Sequence, residues 1–130
     1  METGKTMTIL GIAGSLRRAS FNRGVLRAAQ ALVPAGAQLE IFDLNGIPGF
    51  NQDLGASVGM MGTARAQYHL RQIFVSLNMY PLNQPEVMIA NASERFDTEG
   101  NLVDNGVKDR IRQLLLNLVT WTRQLQKMRM

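Results

Sequence analysis

The chain has 130 residues, the usual size of one compact domain rather than two. With 45% hydrophobic residues, 18% charged residues and no cysteine, it fits neither a disordered chain nor a disulfide scaffold, and it offers no cysteine to a metal site. No apolar run is long enough to cross a bilayer, and the N-terminal residues lack the apolar core of a signal peptide. These features predict a cytoplasmic protein with no membrane partner.

The net charge of +4 comes from the C-terminal part of the chain. Residues 104–130 hold six basic and two acidic side chains, whereas residues 1–54 hold five and four, and residues 55–103 three and four. The basic side chains fall on or beyond an amphipathic helix, where cations suit the solvated face and the negative end of the helix dipole. A nucleic-acid surface is the alternative, and we expect no nucleic-acid partner.

The first half of the chain predicts a strand, a helix and a second strand. Residues 7–13 (MTILGIA) form a short apolar run that ends at a glycine, which is typical of a strand buried on both faces. Ser20 precedes apolar residues at helical spacing, and residues 34–36 (PAG) end that helix. Residues 38–44 (QLEIFDL) follow as the second strand. This order predicts a parallel βαβ unit.

The second half predicts a loop, a helix, a strand and a closing helix. Residues 46–62 are rich in glycine and have no stable period, which indicates a loop. Thr63 can cap a helix that Pro81 and Pro85 end, residues 86–92 (EVMIANA) predict a third strand, and residues 96–105 predict a polar connection. Apolar stripes mark the two helices: Ala66, Leu70, Ile73, Phe74 and Leu77 in the first, and Ile111, Leu114, Leu115, Leu118, Thr122 and Leu125 in the second.

The connection between the first strand and the first helix has the composition of an anion site. Residues 14–23 (GSLRRASFNR) lie where open α/β sheets bind phosphate groups, at a helix N-terminus with unpaired N–H groups. Arg17 supplies a planar charged fork for phosphate, and Ser15, Ser20 and Asn22 add side-chain donors. The lysine of a Walker A loop and the spacing of G-x-G-x-x-G are both absent. In the alternative interpretation, Ser20 is an ordinary helix cap and the arginines are solvated charges.

The pattern G-S-L-R-x-x-S-F-N-R after the first strand resembles the NADPH-dependent FMN reductase family, which includes NAD(P)H:quinone, chromate and azo reductases of flavodoxin-like fold. Residues 47–53 (IPGFNQD), 55–72 (GASVGMMGTARAQYHLRQ) and 83–88 (NQPEVM) resemble the same family in the same order. The resemblance implies one α/β domain over residues 1–130. It also implies a flavodoxin-like open parallel sheet, here shortened to about three strands with helices on both faces.

The resemblance further implies FMN as cofactor and NAD(P)H as co-substrate, with electrons passed to a small-molecule acceptor such as a quinone, a flavin, an azo compound or a metal oxyanion. It implies no catalytic side chain and no metal ligand, so that His69, the one histidine, is expected to be a packing or surface residue. The residues implied to surround the FMN phosphate are Ser15, Arg17, Ser20 and Asn22, and those implied to pass near the isoalloxazine ring are Ser57, Gly59 and Gly62.

The main departure from the family lies between Leu54 and Gly55. There the family has a helix, a strand ending in a T-P-E-Y-N loop, another helix and most of a further strand, which amounts to roughly 50 to 60 residues. In the strand order 2-1-3-4-5 the absent strands are the third and fourth, so the retained strands are not neighbours. The last strand then pairs directly with the first, or another subunit fills the gap, or the chain folds incompletely. We expect direct pairing.

Two classes of function follow from this resemblance. The first is an FMN-dependent NAD(P)H oxidoreductase, and the alternative is a catalytically impaired remnant that keeps only phosphate binding and self-association. The family commonly forms dimers or tetramers. Arg65, Tyr68 and Arg71 lie on one side of the helix after Thr63, a composition that favours a homodimer or homotetramer over simple solvated charges.

Overall fold

The computed structural model describes residues 4–13, 20–43 and 64–129. Strand β1 (Met7–Ile12), helix α1 (Phe21–Leu32) and strand β2 (Ala37–Phe42) come first. Helix α2 (Ala64–Ser76), a short 3-10 helix (Ala92–Glu94) and helix α3 (Asn105–Met128) follow. The two predicted first strands and the three predicted helices are confirmed. No helix in these ranges has the length and apolar character needed to span a bilayer.

The two strands pair in parallel, as the βαβ order predicts. Ile9 lies beside Leu39, and Ile12 lies beside Phe42. Because successive side chains of a strand point to opposite faces, Ile9 and Leu39 share the face that packs on the core, and Leu10 shares the other face with Ile12 and Phe42. The chain is therefore an α/β protein with a parallel sheet.

The core lies between the sheet, α1 and α3. Leu115 of α3 is buried at helical spacing with two further residues of the same helix, so that one face of α3 is closed to solvent. Gly24 of α1 packs closely against the chain after the 3-10 helix: a Cβ atom there would lie 2.5 Å from the carbonyl oxygen of Gly100 and 2.7 Å from Phe96 Cε1. The buried cluster consists of Ala29, Ala92, Phe96, Leu102, Ile111 and Leu115.

The prediction of a third strand at residues 86–92 is wrong. Residues 86–90 carry no strand hydrogen bonds, residues 92–94 form the 3-10 helix, and the sheet has two strands in the part of the chain that the structure describes. Direct pairing of this segment with β1 is therefore wrong as well. An apolar segment becomes a strand only when a neighbouring strand supplies its hydrogen bonds. Here the carbonyl oxygen of Val87 accepts a bond from the side chain of Gln67 instead, at 3.3 Å.

The second face of the sheet is not covered by the described helices. Leu10, Ile12 and Phe42 expose 58%, 53% and 46% of their surface. The resemblance implies helices on both faces, yet within residues 4–13, 20–43 and 64–129 the close packing of helix on sheet involves α1 and the core face. The same face carries the polar side chains of Thr8, Gln38 and Glu40, so the outer face is half apolar and half polar.

Candidate functional site

The carboxyl ends of both strands and the first turn of α1 meet at one edge of the sheet. Ser20 takes the N-cap position in an extended conformation (φ −66°, ψ 132°). Its carbonyl oxygen accepts the N–H groups of Arg23 and Gly24, at 3.1 and 3.2 Å. The side chain of Ser20 forms no capping hydrogen bond. The interpretation of Ser20 as an ordinary side-chain cap therefore lacks the bond that defines such a cap.

The first turn of α1 provides the donor set that a phosphate needs. The backbone N–H groups of Phe21 and Asn22 lie before the first hydrogen bonds of the helix, and N–H groups in this position can donate to a bound anion. The first turn contains no acidic residue that would repel an anion. Asn22 is half-buried, and its amide is a second side-chain donor in this part of the helix, after the hydroxyl of Ser20. These residues fit a phosphate group by the chemistry of their donors.

An ion pair ties the second strand to the same helix turn. Arg23 Nη2 lies 3.1 Å from Asp43 Oδ2, and Asp43 is the residue directly after β2. The Arg23 side chain is 25% exposed and that of Asp43 51% exposed. Arg23 belongs to the G-S-L-R-x-x-S-F-N-R pattern, but the pattern alone does not reveal its partner. The pair sets the position of the α1 N-terminus relative to the end of β2.

The structure brings together two of the predicted site residues, Ser20 and Asn22, at the start of α1. The other predicted phosphate contacts, Ser15 and Arg17, lie outside the described residues. The same is true of the predicted ring-side residues Ser57, Gly59 and Gly62. Their assignment stays a prediction.

A cavity of about 380 Å³ is lined by both strands, the three helices and the segment that follows α2. Gly11 of β1 and Val87 both line it, while Asn22 and Gln67 contribute polar residues to the lining. The sequence of Gln67 and its neighbours does not mark it as a site residue, apart from its place in the 55–72 motif. The rest of the lining is apolar: Ile9, Leu10, Val25, Leu26, Ala29, Leu39, Ile89, Ile111, Leu114 and Leu115.

The charged groups outside this cavity form no metal cluster where the structure describes them. Among those residues no three His, Cys, Asp or Glu side chains come close enough to hold a metal ion. His69 lies exposed on α2. Lys108 and Arg112 border a hollow shared with Arg27, whereas Arg110 borders a different hollow.

Comparison with known proteins identifies the family. The sequence model of the family described as NADPH-dependent FMN reductase matches residues 7–57 and 53–94. The two stretches contain β1, α1, β2 and α2, together with the start of α1 that carries the donor set. The chain belongs to the NADPH-dependent FMN reductase family. It is an oxidoreductase of that type, with FMN as cofactor and NAD(P)H as co-substrate.

Individual relatives agree with this family. The chain is 34% identical to an NAD(P)H-dependent FMN reductase of Pseudomonas aeruginosa over 178 positions, which cover 91% of this chain and 96% of the relative. It is 30% identical to an NADPH:quinone oxidoreductase of Arabidopsis thaliana over 184 positions, covering 91% and 93%. Since 91% of 130 residues is about 118, about 60 positions of the Pseudomonas relative have no counterpart here.

A solved structure supports the fold. The flavoenzyme NAD(P)H:(acceptor) oxidoreductase FerB from Paracoccus denitrificans superimposes with a TM-score of 0.72, covering 91% of this chain and 98% of its own. Its sequence is 16% identical, so that this similarity concerns the fold alone. The flavodoxin-like α/β class is thereby confirmed.

Proposed function

We propose that this protein binds FMN at the carboxyl edge of its sheet and uses NAD(P)H to reduce small-molecule acceptors. The observation that carries the proposal is the first turn of α1, where the Ser20 hydroxyl and the Asn22 amide accompany the N–H groups that begin the helix, with no acidic residue in that turn. A phosphate is the group that such a turn binds best. Quinones, flavins, azo compounds and metal oxyanions are the proposed acceptors, and relatives named as quinone oxidoreductases support the first of these.

The proposed roles of the residues follow from their positions. Ser20 and Asn22 would bind the phosphate of FMN from the start of α1, with Ser15 and Arg17 contributing from the preceding loop. Bound FMN supplies the two-electron transfer between nicotinamide and acceptor. Ser57, Gly59 and Gly62 are the residues proposed to lie near the ring, since small residues let the backbone approach closely. No side chain is assigned as acid, base or nucleophile.

Residues 1–130 are proposed to be one domain, shortened internally where Leu54 meets Gly55. The two stretches matched by the family meet at residues 53–57, which supports a junction there. A homodimer or homotetramer in the cytoplasm is part of the same proposal. Such a location fits an enzyme that draws on a soluble nicotinamide nucleotide.

In the alternative, the protein is a remnant of the family that binds phosphate and self-associates but has no catalytic activity. The missing stretch of about 60 positions supports it, because the T-P-E-Y-N loop expected there would contact the flavin ring. The two functions differ in one simple measurement. Purified protein is titrated with FMN while flavin fluorescence is followed, and NAD(P)H oxidation is then recorded with a quinone. Quenching followed by turnover supports the enzyme, quenching without turnover supports FMN binding but contradicts the catalytic activity, and no quenching contradicts the enzyme and leaves the remnant.

A double variant tests the phosphate site. Arg17→Ala combined with Ser20→Ala should weaken FMN binding at least tenfold, because a hydrogen bond to a charged group contributes about 1.5 to 3 kcal/mol. Riboflavin, which lacks the phosphate, should bind equally to wild type and variant. Arg112→Ala with Thr120→Ala removes the same two chemical groups from exposed positions on α3 and serves as the control. Unchanged FMN affinity in the Arg17→Ala, Ser20→Ala variant would contradict a phosphate site at these residues.

A further inference from the structure

The cavity that both strands and the three α-helices line is larger than a packing defect. Its volume is about 380 Å³. The interior of a domain holds few voids larger than a water molecule, whose share of the liquid is about 30 Å³. Three of the lining residues, Ala29, Ile111 and Leu115, belong to the buried cluster. Because ligand pockets begin at about 300 Å³, the cavity has the size of a site for a small molecule.

Apolar side chains that are only half-buried form much of the wall. Ile9, Val25 and Leu39 pack against the buried cluster, yet each of them keeps some contact with solvent. Leu114 is half-buried in the same way, although Leu115 beside it is closed to solvent. An apolar molecule in the cavity would remove this surface from water, which is favourable.

The lining offers no charge to a ligand. Among the lining residues that the structure describes, none is Asp, Glu, Lys, Arg or His, and the residues with polar side chains are Asn22 and Gln67. Gln67 Nε2 donates to the carbonyl oxygen of Val87, another lining residue, at 3.3 Å. A charged ligand would lose its hydration here without gaining a counter-charge. The lining therefore favours a neutral molecule, with a carboxamide as the partner for a hydrogen-bonding group.

The volume is too small for a segment of polypeptide. A strand residue rises about 3.3 Å in a slot about 4.8 Å wide and about 10 Å deep, which is roughly 160 Å³. The cavity thus holds about two strand residues, fewer than the shortest strands contain. At about 30 Å³ per non-hydrogen atom, the share of a water oxygen, it holds about 13 such atoms. Naphthalene with one substituent has about this size.

The cavity extends into the core, away from the turn that is proposed to bind phosphate. Its lining on α1 runs from Asn22 to Ala29, which is about 10 Å along the helix. Its lining on α3 includes Ile111 and Leu115, both of them buried. Asn22 is common to this lining and to the donor set at the start of α1. A molecule deeper in the cavity is separated from that donor set by the length of the α1 lining.

We propose that this cavity binds a neutral, mostly apolar compound of naphthalene size that carries one hydrogen-bonding group, at a site separate from that of FMN. The apolar walls supply contact with the rings, and the carboxamides of Asn22 and Gln67 orient the polar group. Because such a ligand fills a cavity of the folded chain, it stabilises that chain against unfolding.

The first test titrates the protein, without flavin, with naphthol in a calorimeter. Naphthol is neutral, and unlike a quinone it cannot accept a hydride, so its binding does not report an acceptor step. We expect one molecule per chain, with a dissociation constant on the order of 10 to 100 µM for a ligand of this size. Naphthoate, the same rings with a carboxylate, should bind at least tenfold more weakly. Absence of saturable naphthol binding, or equal binding of naphthoate, would overturn the proposal.

The second test fills the cavity from its wall. Leu114→Trp adds a ring at a lining position and should weaken naphthol binding at least tenfold. Leu118→Trp is the matched control, because Leu118 is half-buried one turn further along α3 and does not line the cavity. Ile89→Phe fills the cavity from the segment after α2 and replaces the first variant if that one does not fold, as judged by circular dichroism. Wild-type affinity in a folded filling variant contradicts the site.

The third test repeats the naphthol titration in the presence of saturating FMN. The affinity for naphthol should change less than threefold, since the two molecules occupy different places. Mutual displacement would put naphthol in the flavin site and refute a separate one. If the protein binds no FMN, the proposed oxidoreductase function fails, whereas the titrations without flavin still decide whether the cavity is a binding site.

Discussion

Arg23 and Asp43 form an ion pair that joins the first turn of α1 to the residue after β2, with 3.1 Å between Nη2 and Oδ2. The pair places a carboxylate beside the helix turn that is proposed to bind the phosphate of FMN. Because a neighbouring negative charge opposes an anion, Asp43 offsets part of the positive potential that Arg23 would otherwise produce at that site. The position of Asp43 after β2 therefore affects the electrostatic potential at the start of α1.

The substitution Asp43→Asn should tighten FMN binding about two- to fivefold at low salt, since removal of one nearby exposed charge changes the energy by up to about 1 kcal/mol. Riboflavin affinity should stay the same, because riboflavin carries no phosphate. The free energy of unfolding should fall by no more than about 1 kcal/mol, as expected for a partly exposed pair. Fluorescence titrations at low and high salt measure the effect. Equal gains for riboflavin and FMN would contradict an electrostatic role.

The substitution Gly24→Ala should destabilise the protein. The added methyl group meets the backbone oxygen of Gly100 at 2.5 Å, and overpacking of this kind costs about 1 to 3 kcal/mol. This cost outweighs the gain of about 1 kcal/mol that alanine brings to a helix interior. Gly106→Ala in α3 is the matched control, because its methyl group would meet only the Asp104 side chain, at 3.3 Å. Urea unfolding curves should show a lower midpoint for Gly24→Ala alone.

Two neighbouring leucines of α3 have the same helix propensity but differ in burial. Leu115 is 4% exposed in the core, whereas Leu116 is 49% exposed. Leu115→Ala should lower the free energy of unfolding by about 2 to 5 kcal/mol, because the lost apolar contacts leave a cavity. Leu116→Ala should change it by less than about 1 kcal/mol. Similar losses in both variants, measured by chemical denaturation, would mean that α3 packs differently.

Asp104 should make stability depend on acid pH. Its Oδ1 accepts the N–H of Val107 at 2.8 Å, and this bond together with Arg95 holds the pKa of the Asp104 carboxyl below its usual value. A carboxyl whose pKa is lower in the folded state contributes stability above its unfolded pKa and loses it as the pH falls through its folded pKa. Melting temperatures should therefore drop at acid pH in wild type.

The substitution Asp104→Asn isolates this effect. Asparagine keeps an oxygen that can cap α3, but it does not titrate, so the fall of the melting temperature with acid should become shallower. The part due to Asp97 remains, because backbone N–H bonds, first that of Asn101, also lower the pKa of this carboxyl. Asp104→Ala removes the cap and should lower the melting temperature at neutral pH as well. An unchanged acid profile in Asp104→Asn would contradict the role of this carboxyl.

Local sequence pattern was sufficient for the first half of the fold. Apolar runs and turn residues locate β1 and β2 within one or two residues, and Ser20 stands at the N-cap of α1 as its position before the apolar stripe predicts. The donor-rich start of α1 could also be found in this way, because the donors are adjacent in the chain. Gly24 carries no such signal, since its close contact with Gly100 depends on a segment 76 residues away.

The polar stretch at residues 96–105 contains buried residues that the sequence pattern did not predict. Phe96 and Leu102 are buried at 8% and 4% exposure and face each other across an antiparallel bridge, and Phe96 lies against Phe21 with 4.9 Å between ring centroids. Isolated apolar residues in a polar segment give no periodic pattern. Their burial depends on where the segment crosses α1, which only long-range packing specifies.

The apolar pattern of residues 86–92 and of Leu70, Ile73 and Leu77 in and after α2 indicates burial, yet residues 86–90 form no strand and these three side chains are 50%, 53% and 62% exposed. A strand, however, needs a neighbour with free N–H and C=O groups, and an apolar helix face needs a surface to cover it. Residue types along one chain establish the parallel βαβ unit, the donor-rich turn at the start of α1 and the family. Which segments find partners depends on the three-dimensional arrangement of the whole chain, because hydrogen bonding and apolar contact act between surfaces that are distant in sequence.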